Sequence, residues 1–185
     1  MIQVDQNKLP MRTFEFTLNY HLREVSLSMD DIDDRLFESG CDDALVAHSG
    51  TGLISLDFTR RARNAWRAVF SAMHSIERAL PAASLVEVKP DYVGVSDIAD
   101  YFNVSRQYVQ KLIVSGKLDY PPITTVGNTS VYHLFPVLDA LKVTISSSIS
   151  DELEELAAIA MKVNIKRVNK PITSSLVKVA MPRTV

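Results

Sequence analysis

Residues 95–116 read VSDIADYFNVSRQYVQKLIVSG, and they decide the fold of the second half of the chain. Ser96 predicts the N-cap of a short helix over 97–102, because a serine oxygen can accept hydrogen bonds from the exposed N–H groups of a first turn. Asn103 predicts a tight, left-handed turn, which asparagine tolerates better than most residues. Ser105 predicts the cap of a second helix. We expect the buried side of that helix to hold Val109, Leu112 and Ile113.

The spacing within this stretch is that of a helix-turn-helix. Counted from the small residue Ala99, the turn residue falls at +4, the apolar corner residue Val104 at +5, the cap at +6 and the buried Val109 at +10. In this motif the second helix enters the major groove of DNA with its N-terminal residues foremost. A helix pair that only packs, without a role in DNA binding, is the alternative interpretation.

The outward side of the second helix carries side chains suited to DNA. An arginine can reach guanine O6 and N7 with two hydrogen bonds, and a glutamine can do the same for adenine N6 and N7. A lysine suits a backbone phosphate. The DNA-binding residues predicted on this helix are Ser105, Arg106, Gln107, Tyr108, Gln110 and Lys111.

The next segment predicts a wing. Pro121 and Pro122 exclude helix and predict an extended stretch after the recognition helix. Two short strands around Gly127 and Asn128 follow, and then a helix with Pro136 near its first turn. Wings commonly touch the DNA backbone or the minor groove, although the same residues also fit a simple turn. The wing residues predicted to bind DNA are Thr125, Gly127 and Asn128.

The first ninety residues predict a separate α+β domain. Apolar side chains alternate with polar ones over 14–20, which indicates a strand. A helix begins after Ser28, and its apolar residues Met29, Ile32 and Leu36 are expected on one side. Short strands over 45–48 and 53–58 flank a hairpin turn, and a strand over 85–88 ends the domain. Between them a long helix carries an apolar stripe of Ala62, Trp66, Val69, Met73, Ile76 and Leu80. The order βαββαβ predicts a ferredoxin-like sandwich, with one sheet face free for a partner or a second copy.

Four arginines cluster near the start of that long helix: Arg60, Arg61, Arg63 and Arg67. A phosphate-binding cluster is one interpretation. A solvated helix face opposite the apolar stripe is the other, and we prefer it because charged runs on helices usually face water.

The tail predicts a linker and one more helix. Residues 145–150 read ISSSIS and predict the linker. Asp151 opens a helix whose apolar seam holds Leu153, Leu156, Ala160 and Val163. The seam fits either docking on the chain's own domain or pairing with the helix of a second copy. Residues 175–180 suit a strand or a flexible tail.

Composition excludes several classes of function. The chain has 185 residues and a formal net charge of −2, so bulk positive charge cannot bind nucleic acid. Residues 91–145 hold 4 basic and 5 acidic side chains, and any nucleic-acid site must therefore be local. The single cysteine, Cys41, fits a reducing cytoplasm. No apolar run is long enough for a membrane span. With no phosphate loop, paired catalytic carboxylates, metal cluster or nucleophile–base motif, we expect no enzyme, cofactor or metal.

The predicted organisation is α+β in three parts. Residues 1–90 form the ferredoxin-like domain, for oligomerisation or for binding an effector or partner. Residues 91–145 form a winged helix-turn-helix that binds DNA. Residues 146–185 form the linker, helix and tail.

Residues 93–142 resemble the winged helix-turn-helix of AlpA-type regulators and phage excisionases, and more distantly the DNA reader of MerR-type proteins. The matching positions are Ser96-Asp-Ile-Ala99, Val104-Ser-Arg-Gln107, Tyr120-Pro-Pro122, Gly127, Tyr132 and Val137-Leu138. More broadly, residues 14–142 resemble a family of small bacterial DNA-binding proteins that join an N-terminal α+β domain to such a reader. The resemblance implies DNA binding and transcriptional control. Asn103 stands where glycine is usual, and Tyr132 where tryptophan is common.

These observations predict a sequence-specific protein that binds double-stranded DNA, as a homodimer acting as repressor, autoregulator or phage-type accessory factor. The alternative is a protein-interaction module of a phage-related or toxin–antitoxin system, in which the helix-turn-helix is mainly structural. Its protein partner is expected at the free sheet face or at the C-terminal helix.

Overall fold

The computed structural model describes residues 10–22, 27–146 and 148–168. Within these ranges the protein is a mixed α+β structure with two antiparallel sheets and six helices. The elements in chain order are β1 (Arg12–Leu22), α1 (Met29–Glu38), β2 (Ala44–His48), β3 (Leu53–Ala62), α2 (Ala65–Ala79), β4 (Ala83–Lys89), β5 (Tyr92–Val93), α3 (Val95–Tyr101), α4 (Arg106–Val114), β6 (Thr124–Val126), β7 (Thr129–His133), α5 (Leu134–Ile145) and α6 (Asp151–Val168). The strand predicted over 175–180 lies outside the described residues.

The first sheet has the strand order β2-β3-β1-β4, with antiparallel neighbours throughout. Its register sets Leu18 of the central strand β1 between Leu56 of β3 and Val88 of β4, and all three are buried. Because side chains alternate along a strand, the even-numbered apolar residues of β1 all reach the core. The odd-numbered side of β1 forms the open face of the sheet, which is polar: Thr17 donates to Asp57 there at 2.7 Å.

Helices α1 and α2 cover the apolar face. The Ser28 side chain accepts from the N–H of Asp31 and caps α1, as the sequence predicts. Ile32 and Leu36 are buried in the core, but Met29 is exposed, so the predicted apolar side of this helix is wrong at its first residue. Met29 directly follows the cap, and as the first residue of α1 its side chain lies outside the core.

The predicted stripe on the long helix is partly wrong. Ala62 belongs to β3, because Asn64 caps α2 and the helix begins only at Ala65. Trp66 is 53% exposed and stacks on Phe70 instead of entering the core. The face that packs on the sheet consists largely of small residues, which let helix and sheet approach closely. It holds Ala65, Ala68, Val69, Ala72, Ile76 and Ala79.

The second sheet has the order β5-β7-β6, and α3, α4 and α5 pack with it around a second apolar cluster. Gly94, not Ser96, precedes the first residue of α3 as its N-cap. The helix starts two residues earlier than predicted because the Asp97 carboxylate accepts the N–H of Gly94 at 2.7 Å. Pro136 lies in the first turn of α5, where a missing N–H costs nothing.

Helix α6 joins the two clusters. Leu156 and Ala160 are buried in the first cluster and Ala157 in the second. Near the start of α6, Glu152 and Glu155 form ion pairs with Arg12 of β1. The apolar seam predicted on this helix is therefore occupied within the chain.

Candidate nucleic-acid interface

The turn between α3 and α4 has the conformation that the sequence predicts. Asn103 adopts φ 50°, in the left-handed region. The N–H of Val104 donates to the carbonyl of Ala99 at 2.9 Å and closes the turn. Because asparagine is among the few residues with a side chain that accept this region, a single residue can redirect the chain between two helices.

Helix α4 is anchored at its start and along one side. Its N-cap is Ser105, whose Oγ accepts from the N–H of Tyr108 at 3.2 Å. Val109 and Leu112 are buried in the second cluster, and Ile113 packs against it partly exposed. The cap and the buried side expected from the sequence are thus confirmed, and the opposite side of α4 necessarily faces solvent.

All six side chains predicted on α4 are exposed. They share the solvent side of the helix and its N-terminal end: Ser105, Arg106, Gln107, Tyr108, Gln110 and Lys111. In the described part of the chain, Arg106 and Lys111 form no ion pair with an acidic side chain. Two cations and four neutral polar side chains therefore face solvent on one short helix and its N-cap.

The predicted wing is a two-stranded hairpin of β6 and β7. Gly127 turns the chain with φ +58°, a conformation that a Cβ would strain. Thr125, Gly127 and Asn128 are all exposed. From Thr124 to Thr129 the hairpin contains hydroxyl, amide and apolar groups but no lysine or arginine. It can offer hydrogen bonds to phosphate oxygens, but no charge.

Sequence reasoning missed a third cation of this surface. Lys117 lies three residues past the end of α4, after Ser115 and Gly116, and is exposed. The remaining cation of the segment 91–145, Lys142, is engaged by Asp139 at 3.1 Å and Glu154 at 3.3 Å. The charge available for phosphate contacts near α4 thus comes from Arg106, Lys111 and Lys117. The position of Lys117 just past the end of α4 is the signal in the sequence that could have identified it.

A buried polar network fixes this unit to the first sheet, and no sequence pattern indicated it. The Asp91 carboxylate contacts Nδ1 of His133 at 2.7 Å and accepts from the Asn164 amide at 2.8 Å. Burial raises the pKa of Asp91, and the hydrogen bonds from Asn164 and His133 oppose that rise. These residues are distant in sequence, so only the fold brings them together.

Of the four clustered arginines, Arg60 fits neither interpretation, because it belongs neither to an exposed phosphate-binding cluster nor to a solvated helix face. Arg60 is buried in β3 and donates to both oxygens of Asp43, at 2.7 and 2.6 Å, and to the carbonyl of Gly40. Strand alternation explains its position, since Arg60 follows the buried Phe58 by two residues. Arg61 is exposed. Arg63 and Arg67 both have interaction partners.

Three further features concern metal ligands, the cysteine and membrane spans. Within the described ranges, no group of three or more histidine, cysteine, aspartate or glutamate residues could hold a metal ion. Burial raises the pKa of the Cys41 thiol, which leaves little thiolate at neutral pH. None of the helices in the described part of the chain has the length and apolar character needed to span a membrane.

Comparisons of the chain with protein-family models, with curated protein sequences and with solved structures found no match.

Proposed function

We propose that this protein binds double-stranded DNA sequence-specifically, with α4 in the major groove. The observation that carries the proposal is the presentation of α4: one side is anchored by buried Val109 and Leu112, and the other exposes six polar side chains. A rigid helix that offers arginine and glutamine at its N-terminal end suits direct reading of base edges. Arg106 and Gln107 read bases, and Lys111 grips a phosphate.

We also propose that the two folded units are a ferredoxin-like domain and a winged helix-turn-helix. The strand order β2-β3-β1-β4, with helices on one face, supports a ferredoxin-like domain. The α3–α4 pair followed by the β6–β7 hairpin supports a winged helix-turn-helix. The role is that of a dimeric transcriptional regulator, a repressor or autoregulator, or of a phage-type accessory factor.

The charge on this surface sets the expected strength of binding. Each neutralised phosphate contributes about −0.9 to the slope of log K against log salt concentration, so three cations give about −2.7 for one reader. That is a weak electrostatic contribution. Specificity must therefore come from base contacts by Arg106 and Gln107, and two copies of the reader are needed for tight binding.

A selection from random duplexes followed by fluorescence anisotropy tests the proposal. The wild-type chain should enrich a sequence, and the double variant Arg106→Ala/Lys111→Ala should lose it. Arg61→Ala is the matched control, because Arg61 is an exposed arginine on β3, in the first sheet. No enrichment, and no binding at micromolar protein in low salt, would contradict the proposal.

A second candidate function is a protein-interaction module in which the helix pair only packs. The net charge of −2 and the absence of a basic residue in the wing favour it. It predicts that Arg106→Ala leaves the protein's behaviour unchanged, and that a partner protein rather than a duplex is retained by the purified chain.

A further inference from the structure

The two edges of the first sheet differ in whether another part of the chain bonds to their backbone. At the β4 edge, the side-chain amide of Asn164 accepts from the N–H of Val88 at 2.9 Å and donates to its carbonyl at 2.8 Å. Helix α6 therefore closes that edge. At the other edge, β2 has β3 as its only strand neighbour among the described residues. We propose that this open edge of β2 pairs with β2 of a second copy of the chain.

The ladder between β2 and β3 shows which backbone groups of β2 point outward. The N–H of Ser49 donates to Leu53 at 2.8 Å, and the N–H of Thr59 donates to Asp43 at 3.1 Å. Bonded and non-bonded pairs alternate in an antiparallel ladder, so the odd-numbered residues of β2 bond to β3. The even-numbered residues then turn their N–H and carbonyl groups to the open edge. They are Ala44, Val46 and His48.

This edge lacks the features that keep strand edges apart. Residues 44–48 read ALVAH, with no lysine, acid or proline, and the pairing with β3 has no register shift. Proteins usually protect an exposed edge with such charges, prolines or bulges. Leu45 is 78% exposed on this strand. An uncharged, regular and partly apolar edge is a site for strand pairing.

Helix α1 adds apolar surface beside the edge. The contact of Asp33 with His48 Nε2, at 2.8 Å, places that side of α1 next to β2. Residues four apart on a helix share a side. Met29 and Phe37 therefore flank Asp33, and both are exposed, Phe37 to 67%. Met29 was predicted on the same side of α1 as Ile32 and Leu36, and its exposed position beside β2 is what an interface would use.

The edge is complementary to itself, which identifies a second copy as the occupant. In an antiparallel pair centred on Val46, the two Val46 residues exchange both backbone hydrogen bonds. His48 of each copy lies opposite Ala44 of the other, and its N–H can donate to the Ala44 carbonyl. The Ala44 N–H stays with the carbonyl of Cys41, at 3.2 Å. Leu45 lies opposite Ala47, and no like charges face each other across the strands. A twofold axis closes the assembly at two copies.

The alternative surfaces expected from the sequence fit a second copy less well. The apolar seam predicted on α6 is buried within the chain at Leu156 and Ala160, and its other members, Leu153 and Val163, pack partly buried against the two clusters. The open face of the sheet is polar, with Glu15, Asp57 and their neighbours exposed or half-buried. Among the described residues, the β2 edge combines backbone groups that have no strand partner with exposed apolar side chains, which are Leu45 on the side of the open face and Met29 and Phe37 on the side of α1.

Charge on α1 gives this interface a distinctive salt dependence. The ten residues of α1 include the acids Asp30, Asp31, Asp33, Asp34 and Glu38, against a single basic residue, Arg35. Pairing two β2 strands brings two such helices to the same side of the joined sheet. Salt screens their repulsion over a Debye length of about 8 Å at physiological ionic strength. Pairing should therefore strengthen as salt is raised, whereas DNA binding weakens.

This inference deepens the proposed function. It rests on that function only for the purpose of the dimer, which is to hold two copies of α4 for binding DNA. The pairing itself needs no DNA, so it is tested without DNA. A pair that forms but binds no duplex would remove the proposed function and leave the interface standing. A chain that stays monomeric but binds a duplex would remove the interface and leave the proposed function standing.

Sedimentation equilibrium on the full chain, over a range of protein and salt concentrations, measures the pairing. The wild-type mass should rise from 20.6 kDa to twice that value, and should do so at lower protein concentration in higher salt. Leu45→Lys should stay monomeric, because it places like charges near the axis. Val143→Lys is the matched control: Val143 is 80% exposed on α5, and its substitution should leave the pairing unchanged.

A second variant acts on the backbone. Val46→Pro removes the N–H at the centre of the proposed pair and keeps the bonds of β2 to β3, and it should also be monomeric with an unchanged circular dichroism spectrum. Hydrogen exchange should show the Val46 and His48 amides protected in the wild-type pair and exchanging in Leu45→Lys. A wild-type chain that stays monomeric at all concentrations overturns the proposal, as does a dimer that survives Leu45→Lys.

Discussion

Asn164 lies against the backbone of Val88 and bonds to both its N–H and its carbonyl, so one side chain of α6 takes the place of a neighbouring strand. The same amide also donates to Asp91 at 2.8 Å. Asn164 and Asp91 are fully or almost fully buried. The first sheet, the segment that leads into the second sheet and α6 therefore meet at a single side chain.

Replacing that side chain should destabilise the protein strongly. In Asn164→Ala, the Val88 N–H, its carbonyl and the Asp91 carboxylate all lose a partner while they remain buried. A buried polar group without its partner costs about 1–3 kcal/mol, and we expect a loss of at least that size in the free energy of unfolding. Urea denaturation measures it. Asn128→Ala, at an exposed asparagine of the wing, should change the free energy by less than about 0.5 kcal/mol.

If Asn164→Ala and Asn128→Ala proved equally stable, α6 would not close the β4 edge in solution, and that edge would be as open as β2.

Asp91 should make stability depend on pH in the direction opposite to that of most carboxylates. Burial raises its pKa in the folded state above the ordinary value of 3.8. The folded protein then binds the proton more tightly than the unfolded chain, so the contribution of Asp91 to stability is present below pH 3.8 and is lost as the pH rises through the folded pKa. Asp91→Asn removes that loss. Its stability relative to wild type should improve as the pH is raised from 3.8.

Urea unfolding of the two proteins at a series of pH values checks this expectation. A constant difference between them across that range would show that the Asp91 pKa is the same in the folded and unfolded chain.

Arg60 and Arg61 provide a matched pair on one strand. Arg60 is buried and donates to both oxygens of Asp43, whereas Arg61 is exposed. Breaking a buried ion pair costs about 3–5 kcal/mol, because the other charge stays buried, although the partial exposure of Asp43 places this pair at or below the low end. Arg60→Ala should therefore lower the free energy of unfolding substantially and Arg61→Ala hardly at all.

Thermal or urea unfolding of both variants gives the comparison. Similar losses in the two would mean that Arg60 is held no more firmly than its exposed neighbour.

The sequence correctly predicted those features of the fold that short, local patterns of residues control. The alternation in β1, the Ser28 and Ser105 caps and the left-handed Asn103 all follow from a few adjacent residues, and the structure has them. It misplaced Trp66 because two apolar stripes compete on α2, and the stripe of alanines permits closer packing on the sheet. The burial of Arg60 was not predicted, because the charge of a residue does not indicate which face of a strand its side chain occupies.

The contacts that join the two units were beyond sequence reasoning for a different reason. Asp91, His133 and Asn164 belong to separate elements, and no periodicity links them. The residues predicted to bind DNA on α4 and in the wing are exposed. Their contact with DNA remains a prediction, which the salt dependence of binding can examine residue by residue.

Lys117 and Arg106 should affect DNA binding in different ways. Lys117→Ala removes a phosphate contact, so affinity should fall similarly on every duplex and the salt slope should become smaller by about 0.9. Arg106→Ala removes a base contact, so it should cost about 1–3 kcal/mol on the preferred sequence and little on others. Anisotropy titrations at several salt concentrations measure both. Equal losses on all duplexes for both variants would assign Arg106 to the backbone as well.

Asn103 offers a test of the turn that sets α4 in place. At φ 50° a residue with a Cβ is strained by roughly 1–2 kcal/mol, a penalty that asparagine lowers and glycine avoids. Asn103→Gly should therefore keep or slightly raise the free energy of unfolding, and Asn103→Ala should lower it by about 1 kcal/mol. Because the turn orients α4, Asn103→Ala should weaken DNA binding further than its loss of stability explains, while Asn103→Gly binds like wild type. If Asn103→Ala unfolds and binds as the glycine variant does, the chain at this position does not need the left-handed conformation, and the orientation of α4 must be set elsewhere.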